Sequence, residues 1–256
     1  MALEVLISTI DDGIRDIPYM LLPERADVTY LVSWQENDAQ RNLGLKEYLI
    51  SAEWSRRRDV RVFNMTGKGL SRNRNNALLH ASGDILLFAD DDCRYENEYF
   101  DEILSAYETH RDADIILFKS NLNKSYPTKE MSLKRALRHR GYYVSSVEMT
   151  MRNNDGNKSL RFNEDFGLGS GMYIAGEEDV FLKDATRQGR RIVFVPKIIV
   201  DTPTNTTGSQ TNNPELIRAK RAALTYCYNK WFAEYVLMKE KLSRKIKCLI
   251  NKKKIK

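Results

Sequence analysis

Short apolar runs and helical stretches alternate across roughly the first 120 residues, and that exchange leaves the chain few architectures. "LEVLIST" (3–9), "VTYLVSW" (28–34), "DVRVFN" (59–64), "DILLFA" (84–89) and "DADIILFK" (112–119) are β-rich. Between them, 45–58, Ser71 to Ala81 and 96–109 carry helical spacing. The second of these follows a glycine loop, "TGKG", and is expected to stop at Gly83. A nearly all-apolar strand such as "DILLFA" belongs in the middle of a sheet covered on both faces. Together these elements predict an α/β layered fold with a mainly parallel sheet.

Beyond residue 120 the pattern loosens. "EMSLKRALRHR" predicts a short basic helix, and 148–171 predicts strand pieces around a turn at Asp155-Gly156, then a glycine-rich loop, "FGLGSG". A helix over 176–189 is signalled by acids in its first turn and by Gly189 as terminator. "RIVFVPKIIVD" supplies one or two further strands, and 202–213 is a polar loop. From Pro214 onward one long helix or two are expected, with proline in the first turn. There are no internal repeats.

Of the 256 residues, 42% are hydrophobic and 30% charged, which is ordinary globular composition. The cysteines (Cys93, Cys227, Cys248) are odd in number and far apart, which predicts reduced thiols. The N-terminus lacks the basic region of a secretory signal, and no apolar run reaches the roughly 18 residues that span a bilayer. A cytoplasmic location is expected. The net charge is +6, yet residues 239–256 hold nine Lys/Arg against one Glu, so the rest is slightly acidic. The basic balance describes a tail, and nucleic acid is not an expected partner.

In an open parallel sheet, ligands bind outside the carboxyl ends of the strands. Asp90-Asp91-Asp92 follows "DILLFA" at such an end. These acids either form a solvated turn or, through the alternate carboxylates Asp90 and Asp92, offer hard oxygen ligands to Mg²⁺ or Mn²⁺. "GLSRNRNNAL" places Arg72 and Arg74 at a helix start, for solubility or for a phosphate-bearing ligand. Glu177, Glu178 and Asp179 suit the first turn of a helix on dipole grounds alone, or supply a general base facing the metal site.

Taken together, a G-x-x-x-x-R-N helix start (Gly69, Arg74-Asn75), the block "ASGDILLFADDD" and the later pair Glu178-Asp179 resemble the family 2 glycosyltransferases. "VLISTIDDG" is similar to their first strand and nucleotide loop. The likeness runs over about residues 3 to 208 and looks closest to bacterial capsule and cell-surface polysaccharide enzymes. It implies the GT-A fold, a Rossmann-like mixed, mainly parallel sheet flanked by helices. Residues 1–210 would form the catalytic domain, and 211–256 a C-terminal helical extension with a basic tail.

The resemblance also implies residue roles. Asp92, with Asp90, would coordinate Mn²⁺ or Mg²⁺ bridging a nucleotide-sugar diphosphate, with Asp91 beside them. Asp179, supported by Glu178, would deprotonate an acceptor hydroxyl in a single inverting displacement. Ser8, Thr9 and Asp11 would line the nucleotide site, and Arg74 would lie near the base or phosphates. Two positions depart from the pattern. At the end of the second strand, where many relatives carry an aspartate, "SWQEN" offers Trp34 as a stacking or core residue and Gln35 or Glu36 as a hydrogen-bonding edge. After the last strand, Asp201 replaces a histidine as candidate metal ligand. His80, His110 and His139 fall in ordinary helix stretches and are read as structural or surface residues.

The expected donor is a UDP-sugar and the expected acceptor a glycan or lipid-linked saccharide. Aromatics in "YCYNKWFAEYVLMKEKL" beside the basic tail admit a packed helix, or attachment to anionic lipid. Two rival functions have specific demands. A sugar nucleotidyltransferase wants a basic glycine signature near the first strand, where "STIDDGIRD" is acidic. A non-catalytic membrane- or RNA-binding protein wants basic residues interleaved with a binding motif.

Overall fold

A computed structural model describes residues 1–37, 43–203 and 213–254, with side chains through residue 243. An eight-stranded mixed sheet runs through it in the order β3-β2-β1-β4-β7-β5-β8-β6. β1 (Leu3–Ile10), β2 (Val28–Glu36), β3 (Val60–Thr66) and β4 (Ile85–Asp90) are mutually parallel. Every apolar residue of β4 is 1% exposed or less, as an unbroken apolar strand inside a two-faced sheet requires. Each of its Ile, Leu and Phe side chains contributes roughly 1.5–3 kcal/mol by burial.

The antiparallel part begins with β7 (Met149–Arg152), which inserts between β4 and β5 (Ile115–Ser120). It is the one strand realised from the pieces expected over 148–171. β8 (Ile192–Val200) then pairs parallel to β5, and the two-residue β6 (Met131–Ser132) closes the edge. Pro196 lies inside β8 where its register against β5 shifts, because proline cannot donate to the ladder.

Helices cover both faces. α1 (Leu43–Ser51) is shorter than its spacing predicts. Trp54 turns inward to 9% exposure, its Nε1 donating to Tyr48 Oη at 3.1 Å, and the chain continues as a 3-10 turn, Trp54–Arg56. α2 (Leu70–His80) ends before Gly83. That glycine serves close packing: a Cβ there would come within 2.6 Å of Glu4 Cβ. Glu4, fully buried, accepts from the backbone N–H groups of Ser82 and Gly83 and so fixes the entry to β4.

α3 (Asn97–Thr109), the single turn α4 (Leu133–Ala136) and α5 (Glu177–Arg187) follow. The C-terminal stretch forms two helices, α6 (Pro214–Cys227) and α7 (Lys230–Lys254). Asn213 and Asn229 accept from Glu215 N and Phe232 N at their starts. α6 lies on α5: Ala223 and Cys227 pack with Val180 and Phe166, and a Cβ on Gly176 would reach within 2.8 Å of Ala223 Cβ. The polar loop expected over 202–213 falls mostly outside the described residues, as do the tail side chains beyond 243.

Candidate active site

Parallel register brings the carboxyl ends of three strands together. Ser8 on β1 pairs with Asp90 on β4 and with Ser33 on β2, and Thr9 pairs with Trp34. Asp90-Asp91-Asp92 therefore stands directly beside the loop after β1. Thr9 Oγ1 donates to Asp91 Oδ2 at 2.6 Å, and Gly13 passes so close to that carboxylate that a Cβ there would collide with it. Asn73 Nδ2 donates to Thr9 O at 2.8 Å, so α2 is tied to the same point.

Arg74 organises the floor. It is 2% exposed, and its Nη2 donates to Asp90 Oδ1 at 3.0 Å and to Ser146 Oγ at 2.6 Å. Its Nη1 donates to Glu177 Oε1 at 3.2 Å, and the guanidinium lies 5.5 Å from the centre of the Phe162 ring. Burial alone would lower its pKa, but Asp90, Glu177 and Glu178 outweigh it and hold the charge firmly on. Ser146 N in turn donates to Glu178 Oε1 at 3.3 Å. One buried cation thus connects the acids after β4 with those opening α5. Where the family resemblance puts Arg74 beside the base or phosphates, here it lies beneath the carboxylates.

Three residues at the end of β2 are likewise beneath the cleft. Trp34 is 1% exposed and donates from Nε1 to Asp11 O at 3.0 Å, which settles it in the core. Gln35 is 2% exposed, with Nε2 donating to Gly69 O at 3.2 Å. Glu36 is buried between Lys46 and Asn64. Asp11, in a left-handed conformation at φ 46°, accepts from Asn37 N at 2.9 Å.

Two glycine loops form one wall. Gly169, at φ 75°, lies against Gly69, and a Cβ on it would sit 3.2 Å from Gly69 N. Leu70 N donates to Leu168 O and Ser71 Oγ to Phe166 O, which locks "FGLGSG" onto the start of α2. Asn75 pins the preceding segment, exchanging hydrogen bonds with the backbone of Phe162.

Electrostatically the site is crowded with acid. Loss of water pushes Asp91 up to about 6, against its hydrogen bond from Thr9, with Asp90 and Asp92 adding to the rise. Desolvation, then Asp90, raises Asp92, which stays exposed at the mouth. Glu178 is pushed up to about 8 by desolvation and by Glu177, against the pull of Arg74. Asp179 is exposed in the first turn of α5. Protein crowded around that turn raises its pKa, while Lys220 of α6 pulls it the other way. Ser8 Oγ, Arg74 Nε and Glu177 Oε2 are buried without a hydrogen-bond partner among the described residues.

Among the described residues no group of three or more His, Cys, Asp or Glu side chains is placed to hold a metal. Asp201 pairs backbone to backbone with Arg94, two residues past Asp92, and its Oδ2 accepts from Tyr99 Oη at 3.2 Å. Asp90 keeps one oxygen on Arg74, and Asp92 faces solvent. Two hard oxygen donors on an acid-rich rim would fit a divalent ion only if its other ligands came from outside these side chains.

The raised Glu178 carboxyl has a measurable consequence. The folded state holds its proton more tightly than the unfolded chain, so the stability it contributes is full below the ordinary glutamate range and is lost as pH rises through about 8. Glu178→Gln is expected to leave the melting temperature unchanged near pH 4 and to raise it relative to the wild type near pH 9. Parallel melting curves across that range would contradict this placement.

Ser146, Asn73 and Gly13 were not singled out by sequence reasoning, and Glu177, read there only as a first-turn acid or general base, proves to be the partner of Arg74. Ser146 sits in a capping box, "SSVE", in which Ser145 and Glu148 cap each other's backbone. That S-x-x-E signature was legible in the sequence; the pairing with Arg74 across 72 residues was not.

Carboxylates at the strand ends of a Rossmann-like sheet, faced by acids at a helix start, lie where open α/β sheets bind their ligands. Residues 40–170 match the family described as Glycosyl transferase family 2. That is about half of the chain, and the chain belongs to this family. A search of curated proteins finds no match.

Among solved structures, residues 1–349 of TarS from S. aureus superpose with a TM-score of 0.61 at 18% identity, covering 88% of this chain and 65% of that one. The same fragment in complex with UDP-GlcNAc gives 0.58 at 16% identity over 88% and 66%, and in complex with UDP 0.60 at 18% over 88% and 65%. This likeness establishes a GT-A-like fold, and the chain spans less than two thirds of those structures' length.

Proposed function

We propose that the chain is an inverting glycosyltransferase that moves a sugar from a UDP-sugar to a hydroxyl of a glycan or lipid-linked saccharide in surface polysaccharide synthesis. The observation that carries the reading is the joining, through Arg74, of the acids after β4 with those opening α5. Family membership and the UDP and UDP-GlcNAc complexes of TarS support the donor class.

In this reading Ser8, Thr9 and Asp11 line the nucleotide side, with Asp91 held by Thr9. Asp90 and Asp92 would hold Mn²⁺ or Mg²⁺, and the ion would supply Lewis-acid stabilisation of the leaving diphosphate. Asp201, bonded to Tyr99 and paired with Arg94, is not grouped with Asp90 and Asp92 as a third ligand among the described residues. Asp179 takes the proton of the acceptor hydroxyl as its oxygen attacks the anomeric carbon, and Glu178 stands next to it. Arg74 acts as a positioning residue, fixing Asp90 and Glu177, and Gln35 does the same for Gly69. The basic C-terminal segment brings the enzyme to an anionic membrane surface, where lipid-linked acceptors lie.

A panel of nucleotide sugars assayed for release of the nucleoside diphosphate tests the reading. We expect one UDP-sugar to be hydrolysed slowly, and only with Mn²⁺ or Mg²⁺, with Asp92→Asn removing the stimulation. Metal-independent release unaffected by that change would reject the metal assignment, and silence across the panel would count against the donor class.

A further inference from the structure

α7 presents two unlike sides. Ala233 (0% exposed) and Leu237 (8%) face inward, and Lys220–Glu240 and Arg221–Glu234 ion pairs fasten the helix to α6. On the other side Trp231, Tyr235, Met238 and Leu242 follow one another at intervals of four, three and four, which places them on a single stripe. They are 86%, 54%, 65% and 58% exposed. Lys239 and Lys241 are exposed alongside, and residues 239–256 carry nine Lys/Arg against one Glu.

We propose that this stripe is a docking surface that inserts into the interface of an anionic lipid membrane, with α7 lying in the membrane plane. A helix with a strongly polar face, an apolar face carrying Trp and Tyr, and a surplus of lysines is built for that position. Charge decides the occupant. A second copy would bring two strongly cationic tails together, whereas anionic headgroups neutralise each one. Among the described residues no helix is long and apolar enough to cross a membrane. The inference rests on the membrane contact proposed above and deepens it: the anchor is the apolar stripe, with the tail adding attraction. α7 packs on α6 and α6 on α5, so the anchor is joined through two helix contacts to the helix that opens with Glu178 and Asp179.

The test uses the full chain with phosphatidylglycerol-rich and phosphatidylcholine vesicles. Trp34 and Trp54 are 1% and 9% exposed, so acrylamide quenching reports mainly on Trp231. We expect cosedimentation with the anionic vesicles, a blue shift of the exposed emission and a several-fold loss of quenching. Trp231→Ser combined with Leu242→Ser is expected to weaken vesicle partitioning at least tenfold while UDP binding and melting temperature stay unchanged. Equal partitioning of wild type and double variant would overturn the proposal, leaving the tail as the only contact. So would a dimer in equilibrium sedimentation that the double variant dissociates. Absence of vesicle binding with UDP binding intact would overturn it too, leaving the transferase reading in place.

Discussion

Arg74→Met is expected to destabilise the fold by roughly 3–5 kcal/mol and to abolish donor binding, because it removes the buried cation that ties the acids after β4 to those opening α5. Glu177 is 5% exposed, and the guanidinium is its only hydrogen-bonding partner among the described residues. Without Arg74 it becomes a buried, unpaired carboxylate. Asp90 and Ser146 lose their tie at the same moment, so the acids after β4 and those opening α5 drift apart. Removing both partners is far less costly than removing one, since no charge is then stranded. Arg74→Met with Glu177→Leu should therefore unfold in urea at a midpoint above that of Arg74→Met alone, while still failing to bind UDP. Additive losses would show that the pair is not coupled.

Asp179→Asn is expected to lower kcat by about 10²–10⁴-fold while leaving the affinity for UDP within about twofold, the signature of a lost general base. The amide keeps the shape of the side chain, and Asp179 supplies no side-chain hydrogen bond to the floor of the cleft. Its backbone oxygen, which accepts from Cys227 Sγ at 3.4 Å, is untouched. The raised carboxyls in this turn place the rise of kcat with pH above the ordinary carboxylate range. A matching loss of UDP affinity would instead make Asp179 part of the donor site.

The sequence was most informative where structure is local. The unbroken apolar run of β4 announced a central strand, and the alternation around it announced the layered sheet. Parallel register then forces Asp90 beside Ser8 without further information. Long-range pairing was less legible. Nothing in "MTMR" says that β7 will enter antiparallel between β4 and β5, because that placement is set by contacts with strands more than thirty residues away. Side-chain direction was hidden as well. Arg74 stood in the Arg-Asn helix start and Gln35 at a strand end that departs from the family pattern, yet whether each points at a ligand or beneath it depends on Glu177, Ser146 and Gly69, remote in sequence. In the C-terminal segment, aromatic spacing was visible, but only α6 packed on α5 shows which face of α7 is left open.

The central claim, that this cleft grips a nucleoside diphosphate through the acids after β4, is tested most directly by calorimetry of UDP binding. It predicts a single site that appears with Mn²⁺ or Mg²⁺, weakens strongly on chelation and is lost in Asp90→Asn and Asp92→Asn, both remaining folded. Binding indifferent to metal and to both substitutions, or no binding under any of these conditions, would contradict it.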